Sequence, residues 1–183
     1  MGFNLDDLMG QYKDYARSYL FYCKVLAAPV GALVSMEHHY LVNSTQLPQQ
    51  NIDQADVNWQ GNIYKLATTN TFDDFTVTFR SDAAHDLRRN FLSWMSQIHN
   101  PVDNVHGDPG QGGYFGTVSL DQLDKEGSPI MTYTLIGAWP KIVGELSLAY
   151  DSKEVATFDV TFAYQYHTVD DVFGGENTPT GVN

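Results

Sequence analysis

A serine, an imidazole and a carboxylate lie close together at Ser81, His85 and Asp86, the set a hydrolase uses for nucleophilic attack. No strained nucleophile turn of the G-x-S-x-G kind surrounds Ser81. Ser81 and Asp82 are better read as short polar side chains capping the free amides of a helix start. His38 and His39 offer imidazoles for a metal, but neighbours on a strand point to opposite faces, and no cysteine completes the set. Gly110, Gly112, Gly113 and Gly116 miss the spacing of a dinucleotide-binding loop and lack a strand and helix to frame them, so they read as a flexible loop. Asp73-Asp74 and Asp170-Asp171 lack the spacing of a calcium loop. The aromatic residues Phe158, Phe162, Tyr164 and Tyr166 would suit base stacking only beside lysine or arginine, which that stretch lacks. The residues therefore predict no catalytic, cofactor-binding or metal site, and no enzyme.

The elements that would position such groups centre on Thr71 to Pro101. Phe75, Val77 and Phe79 alternate with Asp74, Thr76, Thr78 and Arg80, the period of two that marks a half-buried strand. From Ala84 the period changes. Leu87, Phe91, Trp94, Met95 and Ile98 recur three and four apart and form one apolar helical stripe, with His85, Arg88, Arg89, Ser93 and Gln97 facing away. The helix is predicted over about 82–99. Asp82 and Asp86 suit its positive end, and Pro101 cannot continue it.

Along the rest of the chain, residues 1–18 read as an N-terminal arm. Tyr19 to Leu26 reads as a strand buried on both faces, with Val34 to Val42 as a return strand. Ile52 to Trp59 and Ile63 to Thr68 form a hairpin about Gly61-Asn62. Residues 101–128 form a long loop dense in Asp, Asn and Gly, with Phe115 to Leu120 as a short strand inside it. Ile130 to Gly137 alternates as an interior strand, and Trp139-Pro140 is expected to end its pairing. A last hairpin joins Glu145–Tyr150 to Val155–Tyr166 about residues 151–154, and 168–183 form a loose polar tail. Many strands, one helix and no strand–helix alternation predict a mainly β (α+β) single domain over 1–183. It should have two packed antiparallel sheets, a barrel-like sandwich with the helix laid on one sheet.

The chain has 183 residues, 43% of them hydrophobic and 17% charged, which excludes a disordered chain. A formal net charge of -12 argues against a nucleic-acid binder, since phosphates need Lys and Arg as partners. The sign suits a surface past which DNA slides without sticking, and equally suits plain solubility. Cys23 is the single cysteine, so no internal disulfide forms and folding in a reducing compartment is expected. No apolar segment reaches membrane-spanning length.

The stretch TFDDFTVTFRSDAAHDLRRNFLSWMS closely resembles the matching segment of the major tail-tube proteins of contractile-tailed bacteriophages. The resemblance resumes at GAWPKIVGELSLAYDSKEVATFDVTFAYQY and is weaker at YLFYCKV and Leu47-Pro48. It implies a structural virion protein made in the host cytoplasm, with no cofactor and no membrane contact. Subunits of that family form hexameric rings whose strands join a multi-subunit barrel, and the rings stack into a tube that carries DNA. The implied partners are further copies of the chain and sheath, baseplate and tail-terminator proteins. Strand parity and the acidic charge make Asp53, Glu145 and Asp159 candidates for the wall facing the lumen. A baseplate tube-initiator, an injection-device tube protein and a soluble β-sandwich binding module are the alternatives.

Overall fold

The computed structural model describes residues 16–28, 39–109, 112–151 and 153–171. Most of the arm at 1–18, part of the return strand, His38 and most of the tail at 168–183 lie outside them. The strands are β1 (Phe21–Ala27), β2 (Val42–Thr45), β3 (Gln50–Trp59), β4 (Asn62–Phe72) and β5 (Phe75–Arg80). After the helix α1 (Asp86–Ile98) come β6 (His99–Asn100), β7 (Val105–His106), β8 (Gly116–Leu123), β9 (Pro129–Val143), β10 (Thr157–Ala163) and β11 (Tyr166–Asp171). Seven of them form one antiparallel sheet in the order β1-β8-β9-β10-β5-β2, with β11 also on β9. Among the described residues the sheet does not close on itself.

β9 holds this sheet together, because it belongs to two ladders. Its first part pairs with β8 on one side and β11 on the other, and its last part pairs with β10. The change of partner falls at Gly137, where φ is +66° and an added Cβ would sit 2.7 Å from Gln165 Cγ. The β8 register slips there, and Gln165 N–H donates to Ile136 O at 3.0 Å, bridging the break between β10 and β11. Such a bulge bends a strand and folds one half of a sheet over the other. Trp139-Pro140 does not end the pairing, as the proline suggested. Beyond Ala138, β9 pairs only with β10, and a register shift passes Pro140, so the proline sits on a sheet edge that tolerates it.

The core follows from parity. β5 and β10 pair in register, matching Phe158 with Phe79, Val160 with Val77 and Phe162 with Phe75 on the buried face. The other face matches Asp159 with Thr78 and Thr161 with Thr76, whose hydroxyls lie 3.0 Å apart. Cys23, Val25, Val118, Leu120 and Leu135 add the buried face of the other half. Burial, with the nearby Asp121 carboxylate adding to it, pushes the Cys23 thiol up to about 12, so it packs as a small apolar group.

α1 closes this core with Leu87, Phe91 and Trp94, all fully buried. Phe91 lies 5.4 Å from Phe79 and 5.9 Å from Phe162, centroid to centroid, and Trp94 donates from Nε1 to Tyr114 O at 2.7 Å. Met95 and Ile98 are half-buried at the rim of the same stripe. Arg88 does not face away: its guanidinium stands 5.3 Å from the Phe158 ring centre and donates to Gly144 O. The helix starts at Asp86 rather than 82, because His85 takes a left-handed conformation with φ at 55° and ends the preceding turn.

Two further stretches differ from the sequence pattern. The short strand expected at Phe115 to Leu120 is β8, longer and central in the sheet, because Val118 and Leu120 complete the core beside β1. Within the stretch at 101–128 expected as a loop, β7 pairs with β6 just before it. Residues 144–149 are not a strand either. Gly144 N–H donates to Asp159 O and the chain then leaves the sheet, with Leu148 and Tyr150 exposed despite their alternation. Truncating Phe91 or Trp94 to Ala should cost about 3–5 kcal/mol of stability. Denaturant unfolding of the single variants measures this, and a parent-like midpoint for Trp94→Ala would contradict the packing described.

Candidate assembly surfaces

The residues that suggested hydrolysis form a turn. Ser81 Oγ lies 2.8 Å from His85 Nδ1, and Asp82 Oδ2 accepts the Asp86 N–H at 3.0 Å. Burial would raise the Asp82 carboxyl, but the amides of Asp86, Asp82 and Leu87 and the nearby His85 hold it below the usual range. Asp82 thus serves the helix start, and Ser81 pins the left-handed His85. His39 stands in a short 3-10 turn with its ring against Tyr22. No group of three or more metal-ligating side chains occurs among the described residues.

The prominent features are unsatisfied surfaces. β3 and β4 form a two-stranded hairpin that pairs with no other strand among the described residues. All of β4 except Phe72 is exposed. Gln60 and Gly61, both with positive φ, make its two-residue turn, which lies one residue before the expected Gly61-Asn62. The register pairs Val57 with Tyr64, Trp59 with Asn62 and Ala55 with Leu66, so one face of the outer hairpin is apolar. Trp59 is 70% exposed and Tyr64 64%, so this face has no cover among the described residues. An isolated hairpin is marginal in water, so a two-stranded ribbon of this length needs a neighbour.

At its root, the hairpin is fixed by an aromatic cluster. Phe72 contacts the rings of Tyr164 and His167, and His167 also faces Tyr133. Burial lowers the His167 pKa, and its Nδ1 has no hydrogen-bond partner among the described residues. β1, β2 and the outer side of β11 are open edges among the described strands.

The face of the β1-β8-β9-β11 half opposite the apolar core is polar. Its rows run Lys24–Ser119–Thr134–Thr168 and Tyr22–Asp121–Thr132–Asp170. Asp121 is buried and takes hydrogen bonds from Lys24 Nζ at 2.8 Å and Ser119 Oγ at 3.0 Å. Burial would raise this carboxyl, and Lys24, Thr132 and Ser119 outweigh that and hold it low. The carboxylates singled out for a lumen wall fall on three separate elements. Asp53 is exposed on β3, Asp159 lies exposed on the polar face of β10, and Glu145 stands in the irregular chain after β9.

A pairing-rich body with open edges, a projecting apolar hairpin and polar outer sheet faces defines a structural β subunit. The family model described as phage tail tube protein matches residues 22–170. The chain is 29% identical over 167 residues to the tail tube protein gp19 of Enterobacteria phage T4, covering 88% of this chain and 98% of that one. Its fold is similar to a subunit of the PVC extracellular contractile injection system sheath/tube terminator, with a TM-score of 0.66, 14% identity, and 86% and 98% of the two chains covered. Hcp1 from Salmonella typhimurium aligns with a TM-score of 0.50 at 13% identity, over 87% and 91% of the chains. The chain belongs to the phage tail tube protein family and is a structural virion component of a contractile tail.

A half-buried imidazole whose pKa is lowered on folding leaves the unfolded chain holding more protons in acid, so it contributes stability that falls as pH drops below the ordinary histidine range. Between pH 7 and 5, His167→Phe should lose less stability than the parent. Thermal unfolding across that window measures the difference, and identical slopes would place His167 in water.

Proposed function

We propose that six copies close into a ring by joining open sheet edges and that rings stack, through the β3–β4 hairpin, into the inner tube of the tail. The observation that carries this is the hairpin itself, a long two-stranded ribbon with an apolar face that no part of the described chain covers. Edge-to-edge addition satisfies the unpaired backbone groups of β1 and β11, and a closed ring leaves none exposed. The lateral contact is heterologous and closes, whereas the axial contact is heterologous and propagates. Sheath surrounds this tube, and baseplate and terminator proteins meet its ends.

Phage DNA passes through the lumen without specific binding. The net charge of -12 supports this, since a wall of the same sign as phosphate repels weakly over roughly a Debye length of about 8–10 Å. A wall rich in Lys and Arg would instead hold DNA by many contacts. Asp53, Glu145 and Asp159 are the proposed wall carboxylates.

Electron microscopy of the purified chain tests the reading and should show rings or tubes of uniform width. Trp59→Asp should abolish stacking while changing monomer stability by less than about 0.5 kcal/mol, because the side chain is exposed. A chain that stays monomeric at high concentration across a range of salt would refute the tube, and unchanged tubes in Trp59→Asp would remove the hairpin from the contact.

A further inference from the structure

The short hairpin after α1 carries two histidines outside the assembly surfaces. His99 and His106 are direct cross-strand partners on β6 and β7, with ring centroids 4.2 Å apart and planes tilted by 59°. Neither imidazole makes a hydrogen bond to another described residue. His99 is half-buried at the rim of a groove of about 470 Å³ lined by Met95, Trp139 and Pro140, while His106 is exposed.

We propose that His99 and His106 form a chelating site for a borderline divalent cation, Cu2+ or Zn2+, with water completing its coordination. Metal–imidazole bonds are about 2.0–2.1 Å, and a ring centre lies roughly 1.1 Å behind its nitrogen. Two rings sharing one ion therefore hold their centroids roughly 4.5 Å apart at a right angle and about 5 Å apart near the tetrahedral angle. The observed 4.2 Å is within about 0.3 Å of the right-angled arrangement, a gap that a small rotation of the rings closes. Two nitrogen donors and no carboxylate select a borderline ion over calcium or magnesium, which require oxygen.

The backbone holds the pair in place before any ion arrives. Gly107 N–H donates to Ile98 O and Asn104 N–H to Asn100 O, both at 2.9 Å. Asn100 Oδ1 accepts from Val102 N–H, and its Nδ2 donates to Asp103. Asn104 sits at a φ of 54°, and a Cβ on Gly107 would overlap Gln97 O, so the loop has little freedom to open. A rigid spacing converts the second metal–nitrogen bond into an intramolecular event, which raises affinity without a further ligand. The net charge of -12 favours cation approach.

Calorimetric titration of the tag-free chain with CuCl2 or ZnCl2 tests the site. One ion should bind per chain, and His99→Ala or His106→Gln should each weaken binding by roughly a hundredfold, as expected when a chelate loses one arm. His85→Ala, distant in the fold, should bind as the parent does. Binding should weaken in acid, since protons compete for both rings. Electron paramagnetic resonance of the Cu2+ complex should show two coordinated imidazole nitrogens, a readout that does not depend on how the variants fold. No binding up to about 1 mM ion, parent-like affinity in both variants, or a single coupled nitrogen would each overturn the proposal.

Discussion

The packing of one aromatic helix face onto two paired strands is the interaction on which the rest of this structure depends. Phe91 sits against Phe79 and Phe162, which lie on neighbouring strands, so a single side chain fixes α1 to both. Aromatic contacts of this kind add to the area they bury and favour one geometry over its alternatives. Because β5 and β10 are locked in register by matched apolar rows, the helix also fixes which face of each strand is inside. The polar rows then have to face outward.

That constraint leaves the chain only half finished as a solution to its own chemistry. The strands of the body find partners, yet β1, β2 and β11 each keep an open edge among the described residues, and the β3–β4 ribbon keeps an apolar face in water. Natural β proteins cover or blunt such edges unless they are used. Here no charged residue lies on the Trp59–Val57–Tyr64–Leu66 patch itself. The opposite face carries the paired Asp56 and Lys65. One side of the ribbon suits water and the other suits protein.

The Gly137 bulge links these two aspects. It lets one strand serve two ladders, so the sheet half bearing the polar row Ser119, Asp121, Thr132 and Thr134 is continuous with the half that supports the helix. The hairpin is rooted near the same bend, where Phe72 meets Tyr164 and His167. Displacement of the hairpin by a neighbouring copy would therefore be felt at the bend, through ring contacts rather than through a flexible linker.

Periodicity alone determined the helix stripe of Leu87, Phe91 and Trp94, the alternation of β5 and the β3–β4 hairpin, because these signals are local and a side chain's face follows from its position in a regular element. The blocks from Thr71 and from Gly137 carried the family for the same reason, being continuous in sequence. Three features needed the tertiary structure. β9 continues through Pro140 only because its other edge is vacant there, which depends on where β8 ends. Leu146, Leu148 and Tyr150 alternate like a strand, but the chain leaves the sheet after Gly144, Leu146 packs against the core, and Leu148 and Tyr150 stay exposed. His99 and His106 are seven residues apart with a proline between them, and nothing in their spacing places one ring beside the other. The turn that does so runs through Asn104 at positive φ, whose N–H donates to Asn100 O, and Gly107 N–H donates to Ile98 O at the end of α1.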